Sequence, residues 1–157
     1  AGRGGLLAAL KSEGYSPLGC EPAEQLIELA RRYYGLGEDI LRCEDVDLFL
    51  KYTRAAGRPL DVVFLWHVIE HLSRPVDVLT QIVEQLGPEG LVLLQAPLLK
   101  SDNLFVEHYF LFTRHLVFRL AELCGVRVTY CQISADEQFI TFAFCKQSSS
   151  HPVVDAP

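Results

Sequence analysis

The chain has 157 residues, of which 50% are hydrophobic and 22% charged, a balance that suits one globular domain with a sizeable core and excludes a disordered chain. Its formal charge is −6 and its longest basic block is the pair Arg31-Arg32, so the electrostatic footprint of a general nucleic-acid binder is missing. No apolar run approaches the roughly 20 residues that span a bilayer, and the 5 cysteines are odd in number, widely spaced and without a Cys-x-x-Cys, which disfavours a zinc ribbon or a secreted disulfide framework. A cytoplasmic protein with reduced thiols, no membrane partner and a small or weakly charged ligand is expected.

The sequence opens on the glycine-rich Ala1-Gly2-Arg3-Gly4-Gly5, followed by a short helix carrying Leu6, Leu7 and Leu10 that Gly14 ends. Residues 17–20 read as a brief strand with Glu21 at its end. Pro22 then starts an amphipathic helix in which Ala23, Leu26, Ile27, Ala30, Tyr33 and Tyr34 recur at helical spacing up to Gly35. Residues 39–43 read as a second short strand ahead of Glu44-Asp45, and residues 46–56 as a helix whose start is left open, because the aspartates could equally cap a turn. Gly57-Arg58-Pro59 breaks the chain.

Residues 62–66 are an unbroken apolar run, read as a strand buried on both faces, and it stops abruptly at His67, Glu70 and His71. Ligands of open α/β sheets sit at such carboxyl ends. A helix over residues 73–86 puts Val76, Leu79, Val83 and Leu86 on one stripe and closes at Gly87-Pro88-Glu89-Gly90. A nearly all-apolar strand covers residues 91–96, residues 98–112 lack periodicity as a loop over a site would, and Thr113 caps a helix that Gly125 stops. Two strands, residues 126–133 and 139–145, end the ordered part. The expected fold is a three-layer α/β domain over residues 1–146 with a mainly parallel sheet and an antiparallel last strand, and residues 147–157 are expected to be a disordered tail.

Three constellations carry chemistry. Gly2-x-Gly4 with Glu21 about 20 residues on describes a nucleoside-binding half-fold, in which glycines admit a ligand close to the backbone and the carboxylate accepts from ribose hydroxyls; a lone Glu21 would serve the following helix dipole equally well. His67-Val-Ile-Glu70-His71 formally matches a His-x-x-Glu-His zinc pattern, but the segment is barely one helical turn and no further ligand helix follows, so no metal is expected; His71 and Leu72 are read as capping and packing the turn, with Glu70 solvated. Glu107-His108-Tyr109-Phe110 places a histidine among aromatics on a loop, a general base or a loop anchor in equal measure.

In their order these segments resemble the class I S-adenosylmethionine-dependent methyltransferases. Gly2-Arg3-Gly4 resembles the remainder of that family's glycine motif, Glu21 its ribose-binding acid, Glu44 and Asp45 its adenine-side acids, and Trp66-His67 its fourth motif at the edge of the cofactor. Residues 87–91 resemble the turn before its fifth strand, and residues 107–113 a segment of its substrate-side loop. The resemblance implies a Rossmann-like fold, S-adenosylmethionine as cofactor, methyl transfer to an oxygen, nitrogen or carbon of a small-molecule acceptor, and His108, then His67, as the catalytic base where one is needed. It also implies a first strand ahead of Ala1 that this sequence lacks, hence exposed strand edges and possible self-association through an incomplete sheet. Two other readings stand beside it: a truncated, non-catalytic binding module, and a nicotinamide-dependent oxidoreductase, against which the chain shows no Tyr-x-x-x-Lys pair.

Overall fold

The computed structural model describes residues 1–154 and divides into two compact units, Ala1–Gly57 and Arg58–Pro157. Each is an α/β arrangement and each is taken by itself.

The first unit runs α1 (Gly5–Ser12), β1 (Gly19–Cys20), α2 (Glu24–Tyr34), β2 (Leu41–Arg42) and α3 (Val46–Ala56). Strands β1 and β2 pair in parallel, Gly19 opposite Leu41 and Cys20 opposite Arg42. The helix boundaries follow from the capping residues. Gly35 and Gly57 end α2 and α3 in the left-handed conformation that glycine adopts without strain, and the Asp45 carboxylate accepts from the Leu48 N–H at 2.9 Å to start α3. Leu7, Ile27, Ala30, Leu36, Ile40 and Leu41 form the core of this unit. Gly4 packs against it in the left-handed region, φ 76°, where an added Cβ would lie 2.6 Å from Leu36 Cδ1 and 3.2 Å from Ala30 Cβ. Gly2 shares the positive φ, 57°, but faces open space.

The second unit runs β3 (Leu60–Trp66), the 3-10 turn Ile69–His71, α4 (Pro75–Gln85), β4 (Leu86–Pro97), a second 3-10 turn at Ser101–Asn103, α5 (Arg114–Cys124), β5 (Val126–Ile133) and β6 (Phe139–Lys146). Its sheet has the order β3-β4-β6-β5, parallel between β3 and β4 and antiparallel on both sides of β6. Val92, Leu94, Ala96, Ile140, Phe142 and Phe144 are buried, as are Leu79 and Ile82 of α4 and Val117 of α5. Thr113 caps α5 through the Leu116 N–H at 3.1 Å. No helix among the described residues is long and apolar enough to cross a membrane.

Three expectations are corrected here. Strand β3 is not buried on both faces: Val62, Phe64 and Trp66 share an exposed face and only Leu65 is buried, because no complete layer among the described residues covers that face; β3, paired with β4 alone among them, is also an edge strand. Residues 87–90, read as a helix-closing turn, belong to β4, where Gly90 comes within 2.9 Å of the Leu60 carbonyl measured from where a Cβ would stand. The tail, expected to be disordered, is held through residue 154: the Ser149 hydroxyl and the Ser150 N–H and hydroxyl donate to the Glu89 carboxylate, Arg127 donates to the Ser149 carbonyl, and the Val154 N–H donates to Val128 O at 2.8 Å. Residues 155–157 lie outside the described residues.

Alanine should destabilise both glycine positions, but to different extents. Gly4→Ala adds about 1–2 kcal/mol of left-handed strain to overpacking of about 1–3 kcal/mol, whereas Gly2→Ala adds the strain alone; urea unfolding midpoints of the two variants should differ accordingly, with Gly4→Ala far the less stable.

Candidate functional site

In the first unit the glycine turn and the end of β1 meet at one carboxylate. Glu21 Oε2 accepts from the Gly2 N–H at 2.8 Å and from the Ala1 amino group at 3.1 Å, and Oε1 accepts from the Ala23 N–H at 3.1 Å. Burial pushes the Glu21 carboxyl up, but these bonds outweigh it and the net effect holds it below its ordinary value of 4.5. It is therefore an ionised acceptor at neutral pH, with about one acceptor position left over, because a carboxylate offers about four and three are taken. Directly beside it burial, with Glu44, Glu21 and Asp45 adding to it, pushes the Cys20 thiol up to about 11, so this thiol is not a nucleophile.

The acids after β2 are engaged differently. Glu44 Oε1 accepts from Arg42 Nε at 2.5 Å, and the guanidinium of Arg42 lies 4.0 Å from the Tyr52 ring centroid. A cleft of about 110 Å³ is lined by Glu38, Arg42, Cys43 and Glu44. Asp45 is the N-cap of α3, which accounts for it structurally.

In the second unit the ladder between β3 and β4 runs to the pair Trp66 and Gln95, and the His67 N–H extends it by donating to Gln95 O at 3.0 Å. His67 then turns the chain with φ 52°, a left-handed conformation costly for a residue with a Cβ. Its ring packs edge-on against Phe139 at 5.0 Å, and its Nδ1 lies 3.3 Å from Glu70 Oε1. The turn buries Ile69 and, against the expectation of a solvated carboxylate, Glu70, exposed by 0% and 1%, and leaves His71 at the surface. Trp66 is 45% exposed.

The loop after β4 folds back onto this turn. Leu98 and Phe112 bridge in parallel, Asn103 Nδ2 donates to the carbonyls of Leu98 at 2.9 Å and Gln138 at 3.0 Å, and the Tyr109 N–H donates to Glu70 O at 2.8 Å. His108 is thereby set edge-on to His71, ring centroids 5.0 Å apart, with Phe105 on its other side at 5.2 Å. The sequence singled out His67, Glu70 and His71 as one group and His108 as another. The structure regroups them, pairing His67 with Glu70 Oε1 and bringing Glu70, His71 and His108 together. Nothing in the local spacing announces that second group, because it depends on the path of the loop.

Comparison with known proteins follows this geometry. Residues 1–126 match a family described as a methyltransferase domain. The chain belongs to that family. Among solved structures, a SAM-dependent methyltransferase from Archaeoglobus fulgidus is 17% identical, with 92% of this chain and 82% of that one covered at a TM-score of 0.70. The N-methyltransferase NodS from Bradyrhizobium japonicum, solved with S-adenosyl-L-homocysteine, is 16% identical over 92% of this chain and 74% of its own, at 0.67. A TehB-like SAM-dependent methyltransferase from Corynebacterium glutamicum is 15% identical over 93% and 76%, at 0.65. At these identities the likeness establishes the class I, Rossmann-like methyltransferase fold. No curated protein matches the chain.

Two expectations come from this methyltransferase geometry. Because the Glu21 carboxyl is held low when folded, its contribution to stability is complete above the unfolded value near 4.5 and is lost as pH falls through the folded value; unfolding midpoints measured from pH 7 down to 3 should fall less steeply for Glu21→Gln than for the unsubstituted protein. At His67, glycine relieves the left-handed strain while alanine keeps it, and both remove the ring. His67→Gly should therefore be more stable than His67→Ala by about 1 kcal/mol, the reverse of the usual order, as thermal unfolding will show.

Proposed function

We propose that the chain transfers a methyl group from S-adenosylmethionine to an oxygen, nitrogen or carbon of a small-molecule acceptor. The observation that carries the reading is the Gly2–Glu21 junction: an ionised, largely buried carboxylate at the carboxyl end of a parallel strand, bonded at 2.8 Å to the N–H of a glycine whose α-carbon faces open space. An open glycine next to a carboxylate with an acceptor position to spare fits a ribose hydroxyl laid against the backbone. Glu21 follows β1 and Glu44 and Asp45 follow β2, a setting that accepts hydroxyl and amino donors, while the chain has no Tyr-x-x-x-Lys pair for hydride transfer.

S-adenosylmethionine supplies a sulfonium methyl that an aligned nucleophile displaces in line. The protein's share is placement. Glu21 holds the ribose end and Gly2 admits it; Glu44, already oriented by Arg42, faces the adenine side. Trp66 and His67 belong to the second unit, where Trp66 is half exposed at the end of β3 and the His67 N–H donates to the Gln95 carbonyl; the family resemblance is what assigns this pair to the cofactor's edge. The net charge of −6 and the lack of a basic block favour a small acceptor over nucleic acid. A base is required only where the acceptor must lose a proton, and His108, then His67, is the candidate for it, with His108 Nδ1 held 3.1 Å from the Asn103 carbonyl.

Calorimetric titration with S-adenosylhomocysteine tests the reading. Binding is expected, and Glu21→Ala should weaken it by about 10- to 100-fold, the range for a lost charged hydrogen bond. Absence of binding, or binding indifferent to Glu21→Ala, rejects it.

A further inference from the structure

We propose that Glu70, His71 and His108 form a binding site for a divalent transition-metal ion of the zinc class. One ligand atom from each of these side chains lies within 4.8 Å of the others, although the histidines come from a 3-10 turn and from a distant loop. Spacing alone would be a weak argument. Two independent observations point to a cation.

The first is an orphaned charge. Glu70 is 1% exposed, and while its Oε1 faces His67, its Oε2 has no hydrogen-bond partner among the described residues. A buried carboxylate oxygen left unpaired costs more than the 1–3 kcal/mol of a neutral group, and such atoms call for a missing partner. A cation is the partner that satisfies a carboxylate best.

The second is the state of the two imidazoles. His71 Nδ1 lies 3.0 Å from the carbonyl oxygen of Glu107, and His108 Nδ1 lies 3.1 Å from that of Asn103. A carbonyl only accepts, so each Nδ1 carries the hydrogen, which leaves Nε2 as the ring atom able to bind a metal. Both histidines are thus held by backbone carbonyls in the tautomer that binds metal through Nε2, the arrangement by which outer hydrogen bonds orient metal-ligating imidazoles. Their rings already meet edge-on at 5.0 Å.

Two imidazoles and one carboxylate suit Zn²⁺, with a further position open to water or another oxygen ligand. Mg²⁺ and Ca²⁺ prefer all-oxygen shells and fit this nitrogen-rich set poorly. Ligand atoms around a tetrahedral ion at about 2.1 Å stand roughly 3.4 Å apart, so binding draws the three side chains inward, a movement open to His71 at the surface and to His108 on its loop. His67 lies outside the ligand set and acts as a positioning residue for Glu70 Oε1. The site does not rest on the methyl-transfer reading but shares His108 with it, and metal occupancy decides whether the His108 nitrogen is a ligand or a free base.

The test uses the full chain stripped of metal with chelator. Titration with Zn²⁺ is expected to show one site per chain, to raise the thermal unfolding temperature, and to resist excess Mg²⁺; Co²⁺ in place of Zn²⁺ is expected to give the visible absorption of a nitrogen- and oxygen-ligated ion. His71→Ala and His108→Ala should each weaken Zn²⁺ by at least about 10-fold, while His115→Ala, on the α5 surface, should leave it unchanged. In the unsubstituted protein, Zn²⁺ should protect His71 and His108 from diethylpyrocarbonate, a readout that needs no variant to fold. No saturable Zn²⁺ binding, equal loss with His115→Ala, or failure to protect the two rings would overturn the proposal.

Discussion

The second unit depends on one backbone event, the left-handed turn at His67. Strand β3 is held in parallel register by β4 up to Trp66, and the His67 N–H adds one more rung on Gln95. A residue in ordinary extended geometry would carry the chain on along the sheet. With φ 52° it instead drops Ile69 into the core and puts Glu70 beneath it, so the cost of the strained residue is offset by full burial of an isoleucine. The carbonyl of Glu70 then accepts from Tyr109, which fixes the loop, and the loop fixes His108. Remove the turn and three later placements lose their reference.

The first unit solves the matching problem with hydrogen bonds rather than strain. Glu21 would be unstable as a part-buried charge were it not surrounded by the N–H groups of Gly2 and Ala23. Those donors are the ends of two segments, the glycine turn and the start of α2, so one carboxylate ties together β1, the turn and a helix start. The same bonds keep it charged. A group serving both as structural tie and as ionised acceptor is well placed to receive hydroxyl donors without reorganising.

Legibility in the sequence followed the range of the interactions. Helices α2, α3, α4 and α5 were readable because periodicity and caps such as Gly35, Thr113 and Gly125 act within a turn or two. The pairing of Gly2 with Glu21 was readable because a strand-to-strand α/β unit fixes that spacing. The exposed face of β3 was not, since Val62, Phe64 and Trp66 have the composition of a buried strand and only the presence or absence of a covering layer decides their burial. The tail misled for the opposite reason: serines and prolines signal disorder by composition, yet Ser149 and Ser150 carry the donors that the Glu89 carboxylate needs and hold it below its ordinary range. Likewise His71 and His108 meet only because Asn103 and Tyr109 bend the loop back, through contacts that no local pattern encodes.

Glu70 shows how an apparent defect carries information. If its role were only to receive His67, one buried oxygen would suffice, and glutamine would supply that oxygen without a buried charge. The second oxygen has no partner among the described residues, and the two imidazoles, each with Nδ1 tied to a carbonyl, bring a ligand atom within 4.8 Å of the carboxylate. Lone-pair atoms gathered without a donor repel one another, so their gathering opposes folding unless something positive shares the space. A divalent ion supplies that charge and a partner for the orphaned oxygen at once. The loop that delivers His108 is thus stabilised in the ion-bound chain by more than its own hydrogen bonds, and metal binding and loop order become a single equilibrium.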